Sequence, residues 1–542
     1  MWYLLCEIIY KSNFNDCDVL DTNIIYDGIL YNVDELKLLL DEDFIYENDE
    51  TLLLKLLNKY GIPILNKLNG IYSFIYENNG KIFIVRDPFG VKHLYYTFID
   101  KDIIVGSKIK TIFNFTNKRV INDDGLKELI GMGPSHSLGK TIYKDIYEVK
   151  PGNYIIYSKN EFEIIEYYKL PVYEYYDSYE NTVLRVKNTL DKTIKSQMTN
   201  NNDICCLLSG GLDSSIISKV ISDNQECLDT YSIIYTNSKF VSNEYEKSLD
   251  SEYTNIVSSY IYSHQNDIYI NDEQIIDLLK DVVKLKDGPT MTDIDSSLLY
   301  LCQNISENHK ICMSGECADE IFGGYPWFNT LKEYDTFPWM NIELKESLLN
   351  EKYRKRLNLS EYVKKEFNDA MQSAPVINED DYHRKLTYIN MKYFMLNLLD
   401  RSERISSGSG IEIRVPFCDK EVIELLYNVP YEYKRKDGIN KKLLRDAYNS
   451  ELPKEIISRK KSPYPKNNSS KYDEMVKDLV KEVLKDKESV LYKIFDINKI
   501  NELIDMEEIE PWYGQLMRKT ALLAYLYQID YWFKEYNMRL EE

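Results

Sequence analysis

The sequence contains no run of eighteen apolar residues, the length that a membrane-spanning helix needs. Residues 1–10 have no basic stretch in front of an apolar one, so a secretory signal peptide is not indicated either. The nine cysteines include no Cys-x-x-Cys pair, which leaves no zinc-ligand spacing and favours reduced thiols. We therefore expect a cytoplasmic protein with no membrane partner.

Positive charge is also scarce. Lysine and arginine total 67 against 88 acidic residues, which gives a net charge of −21 and an isoelectric point near 4.9. Such an acidic protein is a poor partner for nucleic acid, because binding to the phosphate backbone depends on basic side chains. With 542 residues, 44% of them apolar, the chain is long enough for two hydrophobic cores.

The most informative segment is residues 209–215, which read Ser-Gly-Gly-Leu-Asp-Ser-Ser after the apolar run 204–208. The pattern predicts a strand, a glycine turn and the start of a helix. Adjacent glycines allow the backbone to approach an anion, and the amides at a helix N-terminus face it. The lysine of a Walker loop and the third glycine of a dinucleotide fingerprint are missing. We predict a pyrophosphate cradle, with an ordinary Ser/Gly turn as the alternative.

A second segment of this kind covers residues 314–325, which read Ser-Gly-Glu-Cys-Ala-Asp-Glu-Ile-Phe-Gly-Gly-Tyr after the run 310–313. Ligands of parallel sheets bind at the carboxyl ends of the strands, so both loops are expected side by side around one triphosphate. Asp213 and Asp319 would then offer carboxylate oxygens to Mg²⁺. The alternative, acids that complement helix dipoles, explains one acid per loop but not two glycine-flanked acidic loops.

Further segments follow in the chain. They are residues 291–297 (Met-Thr-Asp-Ile-Asp-Ser-Ser), 400–402 (Asp-Arg-Ser), 410–419 (Gly-Ile-Glu-Ile-Arg-Val-Pro-Phe-Cys-Asp), 441–445 (Lys-Lys-Leu-Leu-Arg) and 459–465 (Arg-Lys-Lys-Ser-Pro-Tyr-Pro). In this order, together with the two glycine loops, they resemble the synthetase domain of the asparagine synthetase family. The whole chain resembles the two-domain glutamine-dependent enzymes of that family, with an altered N-terminal part.

The resemblance implies that ATP and Mg²⁺ activate a carboxylate, with the side chain of aspartate as the leading candidate. The carboxylate attacks the α phosphorus, pyrophosphate leaves, and an amine attacks the acyl-adenylate. It implies that Lys461 stabilises charge on the phosphates and that Glu316 accepts a proton from the attacking nitrogen. The expected ATP- and pyrophosphate-binding residues are Ser209, Gly210, Gly211, Asp213, Ser214, Ser215, Ser314 and Gly315, and the expected metal ligands are Asp213 and Asp319. Asp400, Arg401 and Arg414 fit either substrate orientation or structural ion pairs.

The N-terminal part departs from the family. Members with a working glutaminase carry a cysteine directly after the initiator methionine, because its own α-amino group is the base. Here Trp2 takes that position, and the amine of Cys6 lies in a peptide bond. The segment for the glutamine-binding arginine is also missing. We expect a degenerate glutaminase domain and an enzyme that uses free ammonia.

Residues 26–32 read Tyr-Asp-Gly-Ile-Leu-Tyr-Asn, where the family normally has Tyr-Asn-Gly-Glu-Ile-Tyr-Asn. Asp27 thus replaces the amide donor of an oxyanion hole, and a carboxylate repels an oxyanion. Ile29 replaces the glutamate that contacts the glutamine amine. Residues 69–74 and 86–92 keep the family pattern, as expected if the scaffold is retained for packing.

We predict an antiparallel β-sandwich of the Ntn-hydrolase type over residues 1–165, a linker over 166–180 and a synthetase domain over 181–542. The last is expected to be a doubly wound parallel-sheet ATP pyrophosphatase domain with a helical C-terminal part. The predicted strands are 24–26, 71–77, 82–86, 94–98, 103–107 and 154–157, and the predicted helices include 181–199, 391–400 and 513–536. The expected partners are small-molecule carboxylate and amine substrates, and a homodimer is compatible with the sequence.

Two other functions remain open at this point. One keeps adenylation but uses another acceptor amine, as in β-lactam synthetases or lasso-peptide cyclases, which also lack the glutaminase cysteine; Glu316 argues against the lactam-forming type. The other is a non-catalytic homologue with a regulatory role. The complete glycine loop with Glu316, Asp319 and Lys461 argues against that reading.

Overall fold

The computed structural model describes residues 9–11 (backbone only), 23–40, 45–159, 161–198, 204–237, 250–329 and 333–541. The chain divides into two compact units, one of Met1–Arg119 with Ser137–Pro171 and one of Val120–His136 with Val172–Glu542. None of the helices in the described part is long and apolar enough to cross a membrane. All cysteines in these ranges are free thiols, in agreement with the expectation from their spacing.

The strands, in chain order, are β1 (Ile9–Lys11), β2 (Ile24–Leu30), β3 (Gly70–Asn78), β4 (Lys81–Arg86), β5 (Tyr95–Ile99), β6 (Asp102–Gly106), β7 (Val120–Ile121), β8 (Tyr147–Glu148), β9 (Asn153–Ser158), β10 (Glu161–Glu166), β11 (Ile204–Leu207), β12 (Asp229–Tyr235), β13 (His264–Ile270), β14 (Ile311–Met313), β15 (Glu412–Arg414) and β16 (Arg539–Leu540).

The α-helices are α1 (Val33–Lys37), α2 (Asp49–Tyr60), α3 (Ile109–Ile112), α4 (Asp123–Leu126), α5 (Tyr179–Gln197), α6 (Leu212–Ser222), α7 (Asp250–Ile261), α8 (Asp272–Lys286), α9 (Asp293–Ser306), α10 (Ala318–Phe322), α11 (Ile342–Ser347), α12 (Glu351–Leu357), α13 (Leu359–Ser373), α14 (Tyr382–Ile389), α15 (Leu396–Gly408), α16 (Lys420–Asn428), α17 (Tyr431–Lys434), α18 (Lys442–Ala447), α19 (Lys454–Ser458), α20 (Ser470–Val483), α21 (Val490–Ile494), α22 (Ile497–Asp505) and α23 (Lys519–Glu535). Short 3₁₀ turns cover Ile62–Lys67, Pro326–Asn329, Pro416–Cys418 and Lys436–Gly438, and π-helical turns cover Lys127–Met132 and Asn390–Met395.

The first unit contains two antiparallel sheets, with strand orders β1-β6-β5-β8 and β10-β9-β4-β3-β2. Alternation along β3 gives each face of the larger sheet its own core. Ile75 joins Ile84 and Val105 in a buried cluster between the two sheets. Phe74, its neighbour, points the other way, into a cluster with Leu53 and the other leucines of α2. This helix–sheet–sheet arrangement confirms the predicted sandwich.

The second unit is built on a parallel sheet with the strand order β13-β12-β11-β14-β15. From β11 the chain moves outward in one direction through β12 and β13, and then crosses to the opposite side for β14. The junction of β11 and β14 is therefore the point at which the strand order reverses, where open α/β sheets bind their ligands. Cys205 and Cys206 on β11 are both fully buried, as expected for core residues.

Residues 120–136 of the second unit are contributed from within the N-terminal half of the chain. β7 pairs in parallel with β16 near the C-terminus, with Val120 opposite Arg539. The hydroxyl of Tyr525 on α23 donates a 2.7 Å hydrogen bond to the carbonyl of Leu129. This segment thus packs on the final helix of the second unit.

The predicted strands are confirmed, with boundaries that differ by a few residues, and so is the helix at 181–199, which runs over Tyr179–Gln197. The helix predicted at 391–400 begins as a π-helical turn at Asn390 and continues to Gly408. The prediction that the last helix starts at Tyr513 is wrong, since α23 begins at Lys519. Gly514 has a φ of 60°, which a helix cannot accommodate, and the amide of Trp512 closes a turn onto the carbonyl of Met517 at 2.9 Å.

Candidate active site

The first glycine loop connects β11 to α6 and is held open by internal hydrogen bonds. Gly210 has a φ of 65°, and a Cβ there would lie 2.5 Å from the Cβ of Tyr253, so the position accepts only glycine. The hydroxyl of Ser215 donates to the carbonyl of Gly211 at 2.6 Å, and the hydroxyls of Ser209 and Ser214 are 3.2 Å apart. The loop therefore leads directly into the free amides at the N-terminus of α6.

The second glycine loop lies beside the first, as expected. A Cβ on Gly315 would lie 2.9 Å from the backbone nitrogen of Ser214 and 3.1 Å from the Cβ of Asp213. The amide of Glu316 donates to the hydroxyl of Ser314 at 3.3 Å. Cys317, with a φ of 73°, is a left-handed residue that turns the loop into α10. Glycine at 315 is thus required for the contact between the loops.

A buried lysine joins the two acidic residues. The ammonium of Lys441 lies 2.6 Å from Oδ2 of Asp213 and 2.5 Å from Oδ1 of Asp319. The ammonium of Lys461 lies 2.7 Å from Oδ2 of Asp319. Lys441 is 4% exposed, so its charge is shielded from water by protein. The four side chains, which we call the charge array, alternate in sign across the two loops.

The charge array shifts the pKa values of its members in different directions. Burial raises the pKa of Asp213 despite the opposing charge of Lys441. Burial acts in the same sense on Asp319, but the two ammonium groups of Lys441 and Lys461 outweigh it and lower the pKa of Asp319 to about 2. Burial would lower the pKa of Lys441, but the two carboxylates raise it above the ordinary value. Asp319 and Lys441 are therefore charged at neutral pH.

Glu316 points into the same cavity from the second loop. Its Oε1 accepts a hydrogen bond from Arg401 at 3.3 Å, and Arg401 is held by Oδ1 of the fully buried Asp295 at 2.8 Å. Oε2 of Glu316 is buried and has no hydrogen-bond partner in the described part of the chain. Burial raises the pKa of Glu316, although Arg401 opposes the shift. The carboxylate is therefore oriented by one oxygen and a stronger base than an exposed glutamate.

Glu320 is a second buried acid beside the charge array. Burial and the neighbouring charge of Asp319 raise the pKa of Glu320 to about 7. The hydroxyl of Tyr325 donates to its Oε1 at 2.6 Å. The ring of Tyr325 stacks on Trp327, with 4.4 Å between centroids. Glu320 thus holds Tyr325 at the C-terminal end of the second loop.

Arg459 fixes the first loop from the opposite side. Its Nη1 donates to the carbonyl of Ser209 at 2.9 Å, its Nη2 pairs with Asp250, and its guanidinium lies 4.0 Å from the centre of the Tyr253 ring. This guanidinium is 3% exposed. Arg459 is therefore a structural clamp on the loop. Both Arg459 and Lys461, two residues later, line the cavity, but the Lys461 side chain is the more exposed of the two.

The loops open into one cavity of about 260 Å³. Its charged side is formed by the charge array, Glu316 and Arg401, and its opposite side is apolar, with Leu208 and Ile233 from the sheet and Leu298 from α9. Residues 513–516, predicted as helix, line the cavity as a loop. The cavity thus combines a highly polar end with an apolar wall, as small-molecule sites do.

The other predicted charged residues separate into two groups. Asp400 pairs with Lys286 at 2.7 Å and with Arg404 at 2.9 Å, both buried, and Arg414 binds Glu412 at 2.6 Å. Those two are structural ion pairs, whereas Arg401 belongs to the site. Sequence reasoning missed Lys441 as a site residue. Its signal was available, because Lys441 opens one of the segments that carried the family resemblance.

The N-terminal unit has a second candidate site, at the predicted remnant of the oxyanion hole. The carboxylate of Asp27 lies 3.0 Å from the ammonium of Lys92, and both side chains are largely buried. The loop of Lys92 is held by Asp87, whose Oδ1 accepts the amides of Phe89 and Gly90 at 3.0 and 2.7 Å. The position is thus occupied by an ion pair instead of an amide donor. Trp2 and Cys6 lie outside the described residues.

Comparison with known proteins gives matches along almost the whole chain. The family model described as asparagine synthase matches residues 185–534, and the model of a glutamine amidotransferase domain matches residues 16–168. Asparagine synthetase [glutamine-hydrolyzing] 3 of Bacillus subtilis (strain 168) is 36% identical over 540 residues, covering 96% of this chain and 88% of its own length. These matches confirm the resemblance drawn from the ordered motifs.

More distant relatives match as well. Asparagine synthetase [glutamine-hydrolyzing] 1 of the same bacterium is 24% identical and covers 82% of this chain and 75% of its own length. The asparagine synthetase [glutamine-hydrolyzing] of Rattus norvegicus is 25% identical and covers 81% of this chain and 71% of its own length.

The charge array predicts the effect of removing its central cation. In Lys441→Met, the carboxylates of Asp213 and Asp319 stay buried with only Lys461 to balance them. We expect the free energy of unfolding at pH 7 to fall by about 3–5 kcal/mol, the usual cost of breaking a buried ion pair. Urea unfolding followed by circular dichroism measures it.

The control is Lys442→Met at the next position, where α18 begins. Lys442 pairs with Asp446 in a partly exposed i, i+4 contact, so its loss should cost about 1 kcal/mol or less. Because the pKa of Asp319 is depressed from 3.8 to about 2, its contribution is present above pH 4 and is lost as the pH falls toward 2. The gap between Lys441→Met and the unmodified protein should narrow over that range. Equal losses for both variants at pH 7 would contradict the central role of Lys441.

Proposed function

The chain belongs to the asparagine synthase family of ligases that form C–N bonds, and from this premise we propose that it is an ATP-dependent, AMP-forming amide synthetase. It adenylates the side-chain carboxylate of aspartate and transfers free ammonia to give asparagine. The observation that carries the proposal is the charge array at the meeting point of two glycine loops. A pair of ammonium groups beside free helix-end amides suits a polyphosphate.

Magnesium fits the acidic side of the charge array. Oδ1 of Asp213 is buried and accepts no hydrogen bond from the described residues, which leaves a hard carboxylate oxygen available. Within those residues no group of three acids, histidines or cysteines forms a metal site. Asp213 and Asp319 would therefore be the protein ligands, with phosphate oxygens and water for the rest, as Mg²⁺ prefers. When bound, the ion neutralises charge on the phosphates and orients them.

In the first step, a carboxylate oxygen of the substrate attacks the α phosphorus of ATP, and the bond from that phosphorus to the bridging oxygen breaks. Pyrophosphate leaves with the bonding electrons. Lys461 and Lys441 stand where this charge accumulates, and Lys461, with its side chain 27% exposed, is the one that reaches the cavity freely. A fixed ammonium group in a partly dry site stabilises such charge strongly.

In the second step, ammonia attacks the acyl carbon and AMP leaves. The attacking nitrogen becomes cationic and must lose a proton. Glu316 is placed to accept it, because Oε2 has no partner while Oε1 is held by Arg401. Arg401 acts as a positioning residue in this scheme, with Asp295 behind it.

The ion pair of Asp27 with Lys92 supports ammonia rather than glutamine as the nitrogen source. A carboxylate that is neutralised by a lysine donates no hydrogen bond to a developing oxyanion. Loss of one oxyanion-hole donor costs about 10²- to 10³-fold in rate. The names of the relatives reported above include glutamine hydrolysis. The proposed use of free ammonia therefore distinguishes this chain from them, and Asp27 is the residue on which that distinction rests.

The nitrogen source can be tested directly. With ATP, Mg²⁺ and aspartate, ammonium chloride should support asparagine formation, and glutamine should not. Release of glutamate from glutamine is measured in parallel. Glutamate formation as fast as the ammonia-dependent synthesis would disprove the ammonia proposal and make Cys6 the first candidate for a nucleophile.

The metal ligands predict a second result. Asp213→Asn and Asp319→Asn each remove one ligand charge, so magnesium-dependent exchange of labelled pyrophosphate into ATP should be lost in a protein that still folds. Asp223→Asn, at the other end of α6 and paired with Lys219, is the matched control and should behave as the unmodified protein. Near-normal exchange in either of the first two variants would place the metal elsewhere.

The two chemical steps predict a third result. Glu316→Gln keeps size and shape but accepts no proton, so it should retain pyrophosphate exchange and lose amide synthesis by about 10²- to 10⁴-fold. Lys461→Ala should fail earlier, with little exchange. The exchange is measured with the carboxylate present and ammonia withheld. If both variants lose exchange equally, Glu316 serves the phosphates and its role as the base is wrong.

A further inference from the structure

A second cavity, of about 600 Å³, lies in the second unit between the segment 173–176, the start of α14 and the helix α17. Its walls are rich in aromatic rings. The imidazole of His383 stacks on the ring of Tyr431 with 4.0 Å between centroids, and burial lowers the pKa of His383, so that it is neutral at pH 7. None of the residues assigned above to catalysis lines this cavity.

Lys434 is one of two cationic residues that line this cavity. The side chain is 4% exposed and lines the cavity, and no residue in the described ranges forms a hydrogen bond or ion pair with its ammonium. Burial and the nearby charge of Arg384 lower the pKa of Lys434 to about 7, although the charge of Asp381 opposes the shift. A buried, unpaired ammonium group is costly, and proteins usually pair such groups.

Another buried lysine shows the usual solution. Burial also lowers the pKa of Lys345 to about 7, but its ammonium donates a hydrogen bond to the carbonyl of Gly131 and lies over the ring of Trp512. Lys345 therefore has a structural partner. Lys434 has only the cavity in front of it.

In Arg384, the second cation, only part of the guanidinium group has a hydrogen-bond partner. Its Nε lies 2.9 Å from Oδ2 of Asp381, whose Oδ1 accepts the amide of Arg384 at 3.1 Å. Nη1 of Arg384 is buried and has no hydrogen-bond partner among the described residues. Asp381 is thus committed to one edge of the guanidinium, and another edge still requires an acceptor.

The other acids around the cavity do not supply that acceptor. Glu174 accepts the hydroxyl of Tyr176, and Asp380 and Glu432 are exposed at the rim. The inner wall therefore carries two cations, Lys434 and Arg384, and among its described residues Asp381 pairs with Arg384 alone. Asp380 and Glu432 lie toward solvent.

We propose that this cavity is a binding site for a small anion, whose carboxylate or phosphate group accepts hydrogen bonds from Lys434 and Arg384. The aromatic walls accommodate the rest of the molecule. The site goes beyond the proposed catalytic function and does not depend on it. Its wall contacts the second glycine loop at one place, because the hydroxyl of Tyr431 donates to the carbonyl of Phe328 at 2.6 Å and its ring lies 3.1 Å from the Cβ position of Gly323, just after α10.

The test measures binding without catalysis. Inorganic phosphate and, in a separate arm, malonate are titrated into the full-length protein by isothermal calorimetry at constant ionic strength. The variants are Lys434→Met, which removes one of the two cations of the cavity and leaves Arg384 in place, and Lys385→Met as the matched control. Lys385 follows Arg384 on α14, but its ammonium pairs with Glu379 at 2.7 Å and does not line the cavity.

We expect the unmodified protein and Lys385→Met to bind one anion more than Lys434→Met does, or to bind it about tenfold or more tightly, as expected for a charge-assisted hydrogen bond. The arm with the stronger binding identifies the group as phosphate or carboxylate. Lys434→Met should also raise the Tm of the anion-free protein, because an unpaired buried charge is removed. Equal binding in all three proteins, no binding in either arm, or a lower Tm for anion-free Lys434→Met would overturn the proposal.

Discussion

The candidate active site of the second unit depends on the ion pairs of one buried ammonium group, that of Lys441. Lys441 lies between Asp213 and Asp319, so it neutralises two acids that would otherwise repel each other across the loops. A buried charge is tolerated only with close partners, and here the partners belong to two different strand-end loops. The two ion pairs that offset the cost of burying Lys441 therefore also fix the distance between the loops. It also leaves Lys461 on the far oxygen of Asp319, toward the cavity.

The sheet explains why these loops meet at all. β11 is central, and the chain leaves it toward β12 and β13 before it returns to β14 on the other side. The amino ends of α6 and α10 therefore open at the same edge, and the glycines allow the backbones to touch. The missing Cβ of Gly210 leaves room for Tyr253, and the missing Cβ of Gly315 leaves room for the amide of Ser214. The helix-end amides and the carboxylates of the two loops thus come together through strand order.

The N-terminal unit shows a scaffold that is retained around an altered position. Arg86, 1% exposed, donates to the carbonyls of Lys92, Gly90 and Val149 at 2.6 to 2.9 Å and pairs with Glu148 at 2.8 Å. These bonds hold the loop that carries Lys92, which in turn neutralises Asp27. The carboxylate of Asp27 is thus neutralised by a neighbouring cation. Arg86 and Glu148 thus stabilise the fold of the unit, whereas Lys92 balances the charge of Asp27.

The sequence by itself determined the elements whose signals are local. Alternating apolar residues predicted the strands of the sandwich, and the glycine loops after apolar runs predicted where β11 and β14 end. It also indicated Asp213, Asp319, Glu316 and Lys461, because each stands in or beside a recognisable motif. The predicted helix start at 513 was wrong. The left-handed conformation of Gly514 changes the backbone at one residue only, so it leaves no mark on the apolar periodicity from which the helix was predicted.

Only the tertiary structure decided which charges meet. Lys441 is separated by more than a hundred residues from both of its acidic partners. It opens a segment that carried the family resemblance, but the next residue, Lys442, has the same charge and forms only a partly exposed pair with Asp446. Arg401 and Asp400 are adjacent in sequence, yet one reaches Glu316 and the other a structural network. The unpaired ammonium of Lys434 is likewise invisible in the sequence. Pairing and burial of charge depend on contacts between distant segments, and these follow from the packing of the whole unit rather than from any local pattern.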